Sequence, residues 1–216
     1  MHSFTLSILL NHTIALPFIV SLVRFRKIHP SFYPFAFLIW LGFLSESISL
    51  VYIYSSGNNT VIGNLYVLLE CVILLVQFYR WKTIAGSHAL LLGGILASIW
   101  LFDNVLVNQV TVDNALFRTV SSLTYVFLSL MQINRSFIFG RGPILRNPRF
   151  LACFSFLLFF GWKAYVESFN ALHLGLSERV LLNMYVTLYF INAVTNCLYA
   201  LTLLCIRPRQ EYILLY

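Results

Sequence analysis

Apolar residues in this chain fall into seven long blocks separated by short polar intervals. The blocks run roughly 4–23, 31–54, 61–79, 85–103, 114–133, 150–169 and 180–205. A helix needs about 20 mostly apolar residues to cross the hydrocarbon core of a bilayer, and each block approaches or exceeds that length. The pattern predicts an all-α, polytopic bundle of seven transmembrane helices forming a single membrane domain over residues 1–216, with no soluble domain. The fifth block is the least apolar, because it holds Arg118, Thr119, Ser121, Ser122 and Thr124. Pro17 and Pro34 sit where a local kink is tolerable in a membrane helix.

The basic residues test that count separately. Arg24, Arg26 and Lys27 follow block one, and Arg80 and Lys82 follow block three. Arg135, Arg141, Arg146 and Arg149 follow block five, and Arg207 and Arg209 follow block seven. These alternate intervals hold 11 of the 14 Lys and Arg residues. Loops rich in Lys and Arg stay on the cytoplasmic side, so the N-terminus is expected outside and the C-terminus in the cytoplasm. Without the fifth helix, the four-arginine interval would fall on the wrong side. The other intervals are short, around Ser55 to Thr60, Asn104 to Asp113 and His173. Tyr33, Tyr79 and Trp81 at one face, and Tyr52, Tyr54 and Trp100 at the other, suit interfacial belts.

Composition agrees. The chain is 60% hydrophobic and 10% charged, against about 45–50% and about 25% for soluble domains. The net charge of +7 therefore reads as membrane orientation, and no nucleic-acid partner is expected. Cys71, Cys153, Cys197 and Cys205 all lie inside blocks without a Cys-x-x-Cys pair, so neither disulfides nor a metal cage is implied. The first block has no basic region before it and carries Asn11, His12 and Pro17, unlike a cleaved signal peptide.

Ionisable side chains at membrane depth are costly and mark candidate sites. Glu46, Glu70, Arg118, Lys163 and Glu167 all fall in the outer half, with His12 and Asn11 at similar depth and Asn64 and Asn183 opening their blocks. Lys163 and Glu167 are one helical turn apart, on one face, and are the expected pair. These residues predict a polar ligand pocket open to the outside, or else a set of interhelical salt bridges that lock the bundle. In block seven, Tyr185, Tyr189, Asn192, Asn196 and Tyr199 recur at helical spacing. That stripe is either a permeation path or a hydrogen-bonded packing seam. Gly93 and Ala97 form a small-residue pair suited to close helix packing.

Asn64 to Leu69 (NLYVLL) and Asn183 to Leu188 (NMYVTL) are alike, as are Glu46-Ser47 and Glu167-Ser168, at offsets of 119 and 121 residues. A repeat of blocks one to three in blocks five to seven would give a three-one-three architecture. In that architecture the chain resembles the SWEET and PQ-loop transporters, although their Pro-Gln dipeptide is absent. A second resemblance rests on Asn64 to Glu70 (NLYVLLE), Gln132 to Arg135 (QINR), Asn147-Pro148, Tyr199-Ala200 and the tail from Arg207 to Glu211. These stretches, and most of the chain, are similar to a group of small uncharacterised bacterial seven-helix membrane proteins. That resemblance implies a location in the bacterial inner (plasma) membrane and carries no chemistry with it.

Several activities lack their residues. Block seven has no lysine for a retinal Schiff base, and no Gly-x-Ser-Gly nucleophile turn is present. His2, His12, His29, His88 and His173 are never spaced as a helical zinc pair, and no phosphate-binding glycine loop exists. No catalytic residue, metal or cofactor is assigned. The expected function is a receptor-like sensor that binds a small-molecule ligand outside and contacts a signalling partner through its basic cytoplasmic loops. The alternative is a small-solute or proton-coupled transporter. A third reading, an intramembrane lipid-modifying enzyme, would use the outer carboxylates.

Overall fold

In lipid no water is at hand to satisfy the backbone, so each apolar block closes its hydrogen bonds internally as a helix. The computed structural model describes residues 2–56, 59–107, 110–139, 143–172, 175 and 177–206. Among these residues seven helices are long and apolar enough to cross a membrane. They are α1 (Ile8–Lys27), α2 (Pro30–Ser55), α3 (Thr60–Arg80), α4 (Gly86–Leu106), α5 (Ala115–Ile138), α6 (Pro148–Ala171) and α7 (Arg179–Cys205). No strand occurs among the described residues. Several helices outrun their apolar blocks where polar residues follow. α1 continues through Arg24 to Lys27, and α5 through Asn134, Arg135 and Ser136, because long basic side chains can reach an interface without ending the helix.

Local sequence explains the irregular points. Pro17 has no N–H, and its ring crowds the carbonyl four residues earlier; the helix tightens into a 3-10 turn over His12–Ile14. Asn147 caps α6, its Oδ1 accepting the N–H of Arg149 at 3.0 Å, with Pro148 in the first turn where a missing N–H costs nothing. Gln77 of α3 is fully buried and holds the start of α2. Its Oε1 accepts the Phe35 N–H at 2.7 Å, and its Nε2 donates to the Ser31 carbonyl at 2.7 Å.

The helices pack in sequence order around a closed ring, α7 returning to α1, with the α5–α6 pair the most extensive contact. α6 is the most buried helix, and α1 and α4 the least. The end at which α1 and α2, α3 and α4, and α5 and α6 are joined is the basic end. Its half is filled by rings: Phe35 sits 5.2 Å from Tyr199 and 6.0 Å from Phe156, centroid to centroid, and Phe78 lies 6.1 Å from Phe156. Phe32 and Phe78 both meet Trp81 edge-on. Large apolar side chains such as Val23, Leu90 and Phe127 point outward and are exposed, a surface that belongs against lipid.

α5 has the lowest mean hydropathy of the seven, 1.2, and its packing shows why. Ser122, Tyr125, Ser129, Gln132 and Ser136 recur at steps of three and four and are all buried. This polar face of α5, which includes Ser122, points inward, while Thr119 and Thr124 are only partly buried. At Gly93 an added Cβ would meet only Leu75 of α3, at 3.5 Å, so the small-residue pair of α4 does not bring two backbones together there.

Candidate functional site

At the end opposite the basic one, α3 contributes Asn64, one turn inside the helix and fully buried. Its Nδ2 donates to the carbonyls of Val110 at 2.9 Å and Val112 at 2.8 Å, tying down the segment before α5. Its Oδ1 accepts Arg118 Nη2 at 3.1 Å, and its backbone carbonyl accepts Trp100 Nε1 at 3.1 Å. The neighbouring Gly63 makes room for this arrangement, since a Cβ there would stand 3.2 Å from Arg118 Nη2.

Arg118 spends its donors in several directions. Nε bonds Asn114 Oδ1 at 2.8 Å, Nη2 pairs with Asp113 at 3.2 Å, and Nη1 reaches Glu167 Oε1 at 3.5 Å. Asn170 extends the network, its Nδ2 lying 3.5 Å from Glu167 Oε2 and 2.6 Å from the Tyr185 hydroxyl. Deeper in the bundle, Glu70 accepts the Tyr66 hydroxyl at 2.9 Å and pairs with Lys163 Nζ at 3.3 Å. That ammonium also lies 5.5 Å and 5.6 Å from the ring centres of Phe159 and Phe160. Glu70 and Glu167 are each 3% exposed and Lys163 8%.

Lys163 and Glu167 therefore do not pair with each other, although they share a face of α6. Each crosses to another helix, Lys163 to Glu70 of α3 and Glu167 to Arg118 of α5. The exchange matches both buried acids with both bases. A Lys163–Glu167 pair would leave Glu70 buried without an opposite charge, a costly arrangement, and would leave Arg118 with Asp113 alone.

The remaining sequence candidates separate from this network. Glu46 of α2 is half-buried, and among the described residues it has no hydrogen-bond or ion-pair partner. It lies within electrostatic reach of His12, Tyr66 and Tyr189. His12 Nδ1 is 2.8 Å from the Ile8 carbonyl, leaving its other ring nitrogen available. Asn183 is exposed and takes no part in the network. The stripe on α7 is divided among neighbours rather than lining one path. Tyr185 meets Asn170 of α6, Asn192 donates to Asn11 at 3.2 Å, and Asn196 donates to Thr13 at 2.9 Å. Tyr189 lies within electrostatic reach of Glu46, and Tyr199 belongs to the aromatic core. The paired positions of the suggested repeat occupy unlike surroundings: Asn64 is buried and Asn183 exposed, Glu167 is paired and Glu46 is not.

At the basic end, Arg24 donates to the carbonyls of Leu203, Leu204 and Ile206, closing the last turn of α7. Arg135 donates to the Lys82 carbonyl. Arg26, Lys27, Arg80, Lys82 and Arg146 are exposed and Arg149 half-buried. Arg141, Arg207, Arg209 and His173 lie outside the described residues.

Asp113, Asn170 and Tyr66 of the network were not among the sequence candidates, and neither were Asp103 and Asn114. Asp103 is buried within a π-helical turn over Phe102–Val107, and its Oδ2 accepts the Phe117 N–H at 3.0 Å, capping α5 from α4. Asn114 is also buried and orients Arg118. The local signal for Asn114 was its position just before a helix, where Asn satisfies free N–H groups; Asp103 acts across the chain and left none. Among the described residues, no three His, Cys, Asp or Glu side chains converge as a metal set. No family model, no curated protein and no solved structure matches the chain.

Proposed function

We propose that this protein is a receptor-like membrane sensor, oriented with the polar network outside and the basic end in the cytoplasm. The bacterial inner membrane is the setting proposed from the sequence resemblance, and the excess of basic residues at one end supports the orientation. One observation carries the sensor reading. The two buried acids of the network are matched by two bases, while Glu46, in the neighbouring helix, is a carboxylate at membrane depth without a hydrogen-bond or ion-pair partner among the described residues. An intramembrane acid is a functional candidate by default. With His12, Tyr66 and Tyr189 nearby, Glu46 suits a small polar ligand carrying hydrogen-bond donors. The neutralised network holds α3, α5 and α6 in place beside it. Output would pass to a separate cytoplasmic partner through the exposed Arg26, Lys27, Arg80, Lys82 and Arg146.

The aromatic filling of the basic half favours sensing over transport, since Phe35, Phe78, Phe156 and Tyr199 pack across the route that a solute would take. Proteoliposomes distinguish the two. A panel of small amines and amino acids, added from outside, is expected to raise the thermal midpoint for at least one compound without flux. Glu46→Gln should abolish that shift while leaving the unliganded midpoint near wild type. Flux of the stabilising compound that disappears in Glu46→Gln would replace the sensor reading with a transporter.

A further inference from the structure

Away from the polar network, α4 and α5 part toward the basic end and leave a groove of about 860 Å³. Its walls are apolar: Leu91 and Leu92 from α4, with Leu123, Phe127, Leu128 and Met131 from α5. At the basic end it is lined by Thr83, whose hydroxyl donates to Gln132 Oε1 at 2.6 Å. The groove opens sideways, since Leu91, Leu123 and Phe127 are all exposed. α4 is among the least buried of the seven helices, so this flank of the bundle is thinly covered by protein.

The mouth of the groove differs from its walls in charge. His88 lines it and is exposed. Lys82 precedes Thr83 directly. Arg135 lies one turn beyond Met131 on the same face of α5 and donates to the Lys82 carbonyl. Arg80 is exposed close by in the chain. Among the described residues this end carries no acid, the carboxylates lying toward the opposite end or at mid-depth.

The backbone at Lys82 is unusual. Its N–H bonds the Tyr79 carbonyl at 2.8 Å and the Thr83 N–H bonds the Phe78 carbonyl at 2.9 Å. This is the helix-ending motif in which glycine normally takes the left-handed position. Here that position is held by lysine at φ 60°. Left-handed backbone is unfavourable for a side chain with a Cβ, and such strain collects at functional sites. The strained residue adds an ammonium at the mouth of the groove, where glycine would serve the turn better.

We infer that the α4–α5 groove seats an anionic phospholipid from the leaflet at the basic end, acyl chain along Leu91, Leu123 and Phe127 and headgroup phosphate against Lys82, His88 and Arg135. Apolar length beneath a basic rim is the complement of that molecule, and a soluble phosphate compound would use only the rim.

The test uses the full-length protein in nanodiscs with two photoactivatable phospholipids of identical acyl chains, one with an anionic and one with a zwitterionic headgroup. Each basic group near an anionic surface contributes enough attraction that labelling of α4 and α5 should favour the anionic lipid roughly five- to tenfold. Lys82→Gly relieves the left-handed strain, so this variant should melt no lower than wild type while losing most of that preference. Leu123→Trp, at an exposed wall position, should fill the groove and suppress labelling by both lipids. Free glycerol phosphate should not compete. Equal labelling by both lipids would reduce the groove to ordinary lipid contact and overturn the proposal. So would an unchanged preference in Lys82→Gly, unchanged labelling in Leu123→Trp, or displacement by glycerol phosphate.

Discussion

The two halves of this bundle are held by different forces. Toward one end, Asn64, Glu70, Arg118, Lys163 and Glu167 join α3, α5 and α6 through directed contacts between named atoms. Toward the other, Phe35, Phe78, Phe156 and Tyr199 join α2, α3, α6 and α7 through ring packing. In water both would gain from burial, but lipid tails are as apolar as the helices, and burial of apolar surface no longer drives association. The aromatic half then depends on dispersion and fit. The network half depends on matched charge, and each charge accepts few partners. The first fills space; the second decides which helices are neighbours.

Single removals should expose that difference most strongly at the charged pair. Lys163→Met leaves Glu70 buried with the Tyr66 hydroxyl as its one remaining hydrogen-bond partner among the described residues, and breaking a buried pair from one side costs about 3–5 kcal/mol. Lys163→Met combined with Glu70→Leu should recover most of that loss, read as the unfolding midpoint in lipid. A double variant as unstable as the single one would show that charge matching is not what the network contributes. Phe156→Ala should cost less, near the lower end of the ~3–5 kcal/mol range for such truncations in soluble cores. The cavity remains, but transfer from water no longer adds to it. The seam between α7 and α1 should be the weakest of the three. Asn196→Ala removes one hydrogen bond to Thr13, and such bonds average about 0.6 kcal/mol in membrane bundles. A loss above that of Phe156→Ala would reverse the ranking.

Block length made the seven helices legible, because in lipid the requirement for internal hydrogen bonds leaves a long apolar segment little choice of structure. The fifth helix looked weak only while its polar residues were counted rather than placed. Ser122, Tyr125, Ser129, Gln132 and Ser136 share one inward face, and their spacing carried that information. The network residues were legible as a group, since intramembrane charge is rare. Their pairing was not. Lys163 and Glu167 are adjacent along α6, and only the approach of α3 and α5 shows that each has a better partner elsewhere. Asp103 and Gln77 were harder still, for each satisfies backbone groups of another helix, 14 residues away for Asp103 and 42 for Gln77.

The contact between Arg24 and the carbonyls of Leu203, Leu204 and Ile206 bears on how the molecule is made. The first helix leaves the ribosome long before the seventh, yet Asn11, Thr13 and Arg24 each take a partner on that last helix. Until α7 is inserted, α1 has only α2 to lean on, and its polar side chains face lipid or loosely held water. Completion of the ring is thus a late event in synthesis. A chain stopped before α7 would carry a first helix with no fixed place, and that exposed polar edge is what a membrane quality-control protease would meet first.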